Sequence, residues 1–307
     1  MRIRVFLRKA WKYVKNPRNL YIRFAIKRLR KKGNEMSDEE YISRFFKIKM
    51  GKKLNLSNPI TFNEKLNYLK LFDRNDKYTI MVDKHAAKQY VSKLLGSEYV
   101  AKEYAVWNRI EDFDILSLPN SFVLKTTHGC GGMLIVKNKK EFNYNEFYKK
   151  IVPSLSSNYY YHCREWPYKN VPPRIIAEEF LKDDRFDVLP VYKFFCFNGE
   201  PFILQAIQND KHENETIDYF DMNWQKLKLK QNFPNSKKPL TRPQTFEEMK
   251  DCCVKLSKGI PFVRCDFYEV NNKVYFSEFT FYSDAGFEKF YPKKWDLKLG
   301  QKIQIQK

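Results

Sequence analysis

Phe262-Val263-Arg264-Cys265-Asp266-Phe267-Tyr268-Glu269-Val270-Asn271-Asn272-Lys273-Val274-Tyr275-Phe276-Ser277-Glu278-Phe279-Thr280-Phe281 is the stretch that decides how this chain is read. Apolar and aromatic residues run on both sides of Asn271-Asn272-Lys273, as in two antiparallel strands joined by a tight turn. With a three-residue turn, Val270 pairs with Val274, Asp266 lies opposite Glu278, and Arg264 lies opposite Thr280 on one sheet face. A two-residue turn would put the two carboxylates on opposite faces. Carboxylates set side by side repel unless a cation sits between them. Mg²⁺ with bridging phosphates is one solution, and a surface ladder in which Arg264 pairs with both is the other.

Further strands lie upstream. Residues 191–197 and 201–205 flank Asn198-Gly199, a strong hairpin turn. Residues 174–181 form an apolar run that carries Glu178 and Glu179 towards its end. Residues 121–126 and 133–137 flank Thr127-His128-Gly129-Cys130-Gly131-Gly132. That loop has neither the spacing of a P-loop nor that of a dinucleotide-binding turn. Glycines without Cβ atoms let backbone N–H groups approach phosphate oxygens, and Lys125 stands ready to add a cation; a plain wide hairpin would use the same residues. Earlier still the signals are helical. Ser37-Asp38-Glu39-Glu40 and Thr61-Phe62-Asn63-Glu64 resemble capping boxes, and residues 79–95 keep helical spacing up to Gly96. Helices first and mixed strands later predict an α+β architecture, not a βαβ series.

Composition narrows the function. With 43% hydrophobic and 17% aromatic residues, the 307-residue chain has the material for a packed core, which excludes an intrinsically disordered protein. No apolar run is long enough to span a membrane. The six cysteines show neither CxxC nor metal-finger spacing, and the N-terminus has no uninterrupted apolar segment, so a cytoplasmic protein is expected. His128 and His162 lack partners at zinc-ligand spacing, Cys163 and Cys265 read as small apolar fillers, and no G-x-S-x-G is present. Of the net charge of +21, thirteen basic residues lie between Arg2 and Lys32 with no acidic one, leaving +8 on the other 275 residues. Leu7, Trp11, Val14, Phe24, Ile26 and Leu29 sit among those charges. The segment therefore reads as one or two basic amphipathic helices broken near Asn16-Pro17. It suits an anionic membrane surface through residues 1–34, an acidic polymer, or plain solvation. No RNA-binding motif accompanies it, and no nucleic-acid partner is expected.

Taken in order, these blocks resemble the TupA-like ATP-grasp family of teichuronopeptide and surface-polysaccharide biosynthesis. The resemblance runs from about Pro59 to Phe290. It is carried by residues 58–66, Tyr78-Thr79 with Val82-Asp83-Lys84, 122–129, 164–169, 173–181, 192–201, 263–268 and 278–281. It implies the ATP-grasp fold, in which two α+β subdomains clamp ATP. The boundaries expected are 1–58 for a basic helical arm, 59–120 for a helical subdomain leading in, 121–190 for the lid with its Gly-rich flap, and 191–307 for the core with the metal-binding hairpin.

By the same resemblance, ATP would be held by Lys84, Lys125, His128, Gly129, Gly131, Gly132, Glu178, Glu179, Asp184 and Lys193. Mg²⁺ would be held by Asp266, Glu278 and Thr280, with Arg264 and Lys193 acting on the transferring phosphoryl group. Thr280 departs from the Asn that wider ATP-grasp enzymes often carry there. Arg164, Trp166 and Tyr168 are candidates for contact with a sugar, or else pack within the lid. The implied reaction joins an amino acid or amine to a carboxylated sugar, nucleotide-sugar or lipid-linked glycan through an acyl phosphate, in the cytoplasm or at the inner membrane face. The alternatives are a sugar or polyol kinase of ATP-grasp type and a glycosyltransferase of a capsule or O-antigen cluster; the absence of D-x-D weakens the latter.

Overall fold

The structure, a computed structural model, describes residues 17–305. Helix α1 (Pro17–Lys32) opens on a proline, whose fixed φ suits a first helical turn. Helix α2 (Asp38–Met50) starts where the Ser37 side chain accepts the Glu40 N–H, and stops at Gly51 in the left-handed region. Helix α3 (Phe62–Phe72) carries the full Thr61/Glu64 capping box. The single helix expected over 79–95 is instead two, α4 (Lys77–Val82) and α5 (Lys84–Leu95), broken at Asp83. Asp83 is extended because its carboxylate caps α5, accepting the His85 N–H, and also pairs with Arg174. The helical part expected before Asn16 lies outside the described residues.

Two antiparallel sheets follow. Strands β1 (Glu103–Trp107), β2 (Phe122–Thr126), β3 (Met133–Val136) and β4 (Ile175–Glu179) run in the order β1-β4-β2-β3. Helix α6 (Tyr144–Leu155) covers this sheet, burying Phe147 and Ile151 with Trp107, Phe122, Leu124 and Ile175. The short α7 (Tyr160–Cys163) leads back towards β4. Because β1 belongs to the sheet, this lobe begins near residue 103, earlier than the expected 121.

The second sheet holds β5 (Val191–Phe197), β6 (Glu200–Gln208), β7 (Thr216–Asp221), β8 (Val263–Val270) and β9 (Lys273–Thr280) in the order β7-β6-β5-β8-β9. Helices α8 (Phe246–Ser257) and α9 (Lys294–Lys302) complete this lobe. Its core is aromatic: Phe62 of α3 meets Phe262 edge-on at 4.9 Å and lies 6.0 Å from Phe195. The Asn198-Gly199 turn forms as read, with both residues at positive φ.

The β8–β9 hairpin departs from the expected turn. Val270 pairs with Lys273, so the turn is the two residues Asn271-Asn272, both left-handed as a primed turn requires. A bulge then supplies the missing residue: Phe267 faces Phe276 but Asp266 faces Glu278, leaving Ser277 extra. The bulge shifts the register by one, so Asp266 and Glu278 share a face despite the shorter turn.

Part of the expected arm packs on the body. Leu29 of α1 and Tyr41, Phe45 and Phe46 of α2 bury themselves with Phe287 in a third apolar cluster. Among the described residues no helix is long and apolar enough to cross a membrane.

Candidate active site

The register of the five-stranded sheet lines up Gln205, Lys193, Asp266 and Glu278 across four neighbouring strands. One step along, Arg264 faces Thr280. Arg264 donates to Asp266 through Nε and Nη2, both at 2.7 Å, a two-pronged pair on a carboxylate that is 1% exposed. Lys193 Nζ stands 3.6 Å from Asp266 and the Arg264 guanidinium 3.7 Å from Glu278. The Arg264–Asp266 ion pair is therefore buried, not a surface ladder.

Glu278 gathers positive charge from four elements. Burial alone would raise its pKa, but Lys193, Lys84, Arg264 and Lys211 together hold it down to about 2. Lys84 opens α5, and its Nζ donates to the Gly129 carbonyl at 2.5 Å. The Lys84 N–H also donates to Thr127 O, so this helix start and the glycine loop are tied together. Burial lowers the Lys84 pKa, opposed by Glu278 and reinforced by Lys125.

Lys125 projects from β2 and pairs with Glu178 of β4, which also takes Lys88 at 2.6 Å. Glu178 is buried, which would raise its pKa, yet the two lysines hold it near 2. Burial would likewise lower Lys125, and Glu178 outweighs it.

Lys125, Glu178 and Lys211 border a cavity of about 550 Å³ between the two sheets. Its floor is formed by Lys125, Glu178 and Tyr268, and its walls by Ile135, Phe180, Leu181, Phe186 and Leu189. Apolar walls with a cationic end suit a flat heterocycle carrying phosphates. The excess of lysine and arginine about Asp266 and Glu278 fits an anion bridged through a divalent cation: two carboxylates and the Thr280 hydroxyl would hold the cation, and the lysines would meet the anion's oxygens.

The glycine loop is anchored at both ends. Thr126 Oγ1 shares a 2.7 Å hydrogen bond with Ser154, His128 Nε2 contacts Ser154 O at 2.9 Å, and the Thr126 N–H donates to Gly132 O. Burial lowers the His128 pKa, and among the described residues its Nδ1 is buried without a hydrogen-bond partner. Gly131 and Gly132 have positive φ; a Cβ on Gly132 would lie 2.5 Å from Thr126 Oγ1.

Several expected residues sit elsewhere. Asp184 is turned to solvent, where it pairs with Lys182, and the aspartates that border the cavity are Asp187, Asp210 and the buried Asp183. Asp183 is already engaged by Arg185 and the Asn271 N–H. Glu179 lines the cavity and accepts from Lys102 N–H. Arg164, 3% exposed, cannot reach a sugar: it donates to Gly33 O at 2.6 Å, pairs with Asp38 and stacks over Tyr41 at 4.3 Å. Trp166 donates to Asp73 O at 3.2 Å. Of that trio, Tyr168 lies half-buried 4.9 Å from Tyr159, which packs against Gly129; burial, Glu165 and Glu278 push its hydroxyl pKa well up.

Lys211, Lys88 and Tyr268 are site residues that the sequence did not flag. Lys211 lies in the polar loop 209–215, which reads as an ordinary turn. Glu165 is another: buried, and without a side-chain hydrogen bond or ion pair among the described residues. Burial pushes its carboxyl up, partly offset by Lys70. Cys265 is on the face opposite Asp266, where it, Cys196 and Cys253 bring three buried sulfurs within 4.8 Å of one another.

Two lobes of antiparallel sheet with a cavity between them, lined by a lysine from each lobe, are the architecture of an ATP-grasp protein. The family model described as TupA-like ATPgrasp matches residues 64–304, and the chain belongs to that family. No curated protein matches it. Among solved structures, D-alanine–D-alanine ligase from Helicobacter pylori is similar at 18% identity and a TM-score of 0.45, covering 79% of this chain and 69% of that one. The D-alanine–D-alanine ligase from Bacillus anthracis complexed with ATP gives 14% and 0.38, covering 66% and 53%. N5-carboxyaminoimidazole ribonucleotide synthetase from Thermus thermophilus gives 11% and 0.39, covering 72% and 52%. The chain thus spans little more than half of the last two proteins.

Proposed function

We propose that this protein is an ATP-dependent carboxylate–amine ligase of surface-polysaccharide biosynthesis, joining an amino acid or small amine to a carboxylated sugar on a nucleotide or lipid carrier. The observation that carries the reading is the apolar cavity lined by Lys125 and Lys211, with the Lys193, Asp266, Arg264 and Glu278 ion pairs in the adjoining sheet. Family membership supplies the nucleotide, and the family's association with teichuronopeptide supplies the substrate class.

In this reading Asp266, Glu278 and Thr280 would hold Mg²⁺, which would neutralise phosphate charge when bound. Lys125, Lys84 and Lys193 orient the phosphates from the lid, the helix start and the sheet. Asp266 keeps the Arg264 guanidinium fixed along the sheet face, so the arginine is aimed before charge develops on the transferred phosphoryl group. The substrate carboxylate attacks the γ-phosphate and ADP leaves; the amine then displaces phosphate from the acyl carbon and gives up a proton. Losing any one of these cations is expected to cost on the order of 10²-fold in rate.

Calorimetry with Mg-ATP on the wild type, Lys125→Ala and Glu278→Gln tests the site. Tight Mg-dependent binding weakened in both variants supports it, and no binding by folded wild type defeats it. With a uronic-acid panel, hydroxylamine then separates the chemistries: an acyl phosphate is trapped as a hydroxamate, whereas a kinase's phosphate ester is not.

A further inference from the structure

Helix α1 is apolar on two sides. Ile26 and Leu29 face the third cluster with Tyr41 and Phe45. The other side exposes Leu20 by 40%, Tyr21 by 70% and Phe24 by 63%. These three share that face with Lys27, Arg28 and Lys31 by helical spacing. The helix carries seven basic residues and no acidic one, and six further basic residues precede it in the sequence.

The positive surface does not end with the helix. Arg18 at its start lies close to Gly51, and with Lys49 of α2 and Lys293 it crowds Lys289 enough to deepen the lowering that burial imposes on that amine. Cations drawn together from several elements attract a dense anionic partner. A plain solvated helix has no use for a phenylalanine, a tyrosine and a leucine on its outer face.

We propose that the outward face of α1 docks the protein on a bilayer bearing acidic phospholipid, with Leu20, Tyr21 and Phe24 entering the headgroup boundary and Lys27, Arg28 and Lys31 meeting lipid phosphates. Apolar burial and charge attraction are both needed for stable interfacial binding, and this face offers both. Such docking would hold the site beside a lipid-carried acceptor.

Co-sedimentation of the full chain with phosphatidylcholine–phosphatidylglycerol vesicles, against pure phosphatidylcholine, is the test. The wild type should partition to the anionic vesicles alone. Lys27→Glu with Arg28→Glu changes the charge by four units and should lower partitioning by nearly three orders of magnitude, at about five-fold per unit of charge. Tyr21→Ser with Phe24→Ser, which leaves every charge in place, should lower it about ten-fold. Unchanged melting temperatures show that the variants remain folded. The proposal is overturned if wild type ignores anionic vesicles, or if both variants bind as wild type does. It is also overturned if the Tyr21/Phe24 variant is unaffected while poly(U) displaces the protein from vesicles, which would mark an RNA-type polyanion contact.

Discussion

Replacing Glu178 by glutamine removes one charge from between Lys125 and Lys88 while keeping the side chain's shape. A carboxyl held at about 2 in place of 4.5 is worth about 3 kcal/mol of folding stability at neutral pH, at roughly 1.4 kcal/mol per factor of ten. The group is 6% exposed, so solvent screens little of this. The sign follows from the direction of the shift. A lowered carboxyl stabilises the fold above its unfolded value and loses that contribution as pH falls through the folded one. Urea unfolding should therefore find Glu178→Gln less stable by about 3 kcal/mol at pH 7, and by only about 2 kcal/mol at pH 3.5. A loss below about 1 kcal/mol at pH 7, or an equal loss at both pH values, would refute the argument that two lysines stabilise this buried charge.

Arg264→Lys keeps the charge but loses the two-pronged grip on Asp266, and should lower stability by about 1–3 kcal/mol in the same unfolding assay. Gly132→Ala forces a Cβ to 2.5 Å from Thr126 Oγ1 at a φ of +56°; it should cost at least about 1 kcal/mol and weaken Mg-ATP binding in calorimetry, because the loop anchor must shift. Asn272→Gly relieves a left-handed asparagine in the β8–β9 turn and should raise stability by about 0.5 kcal/mol without altering nucleotide affinity.

Hairpins and helix caps were legible because they are local. Asn198-Gly199, Thr61/Glu64 and Ser37 specify their turns and caps by chemistry within a few residues, and the structure forms all three. The Asp266–Glu278 pairing was read correctly from a turn that does not form, since a bulge at Ser277 leaves no mark in the pattern of apolar residues. The break at Asp83 escaped for a different reason. Asp83 caps the second helix and is also held by Arg174, ninety-one positions away, and helical periodicity carries no trace of a distant guanidinium. Arg164 looked like a solvent-facing ligand because it lies among aromatics, yet those rings, with Gly33 and Asp38, close around it. Lys211 and Lys88 are charged residues in charged surroundings, and only the folded field separates them from the other lysines.

The lid sheet and the five-stranded sheet each bury their own apolar cluster, Phe122, Phe147 and Ile175 in one and Phe62, Phe194 and Phe262 in the other. Backbone amides of the lid can therefore exchange with solvent through an opening that leaves the larger core intact. Amide deuteration should sort into two classes, with β2–β4 exchanging ahead of β5, β6 and β8. A nucleotide bridging Lys125 and Lys193 would draw the two classes together, so the gap between them becomes a direct gauge of occupancy.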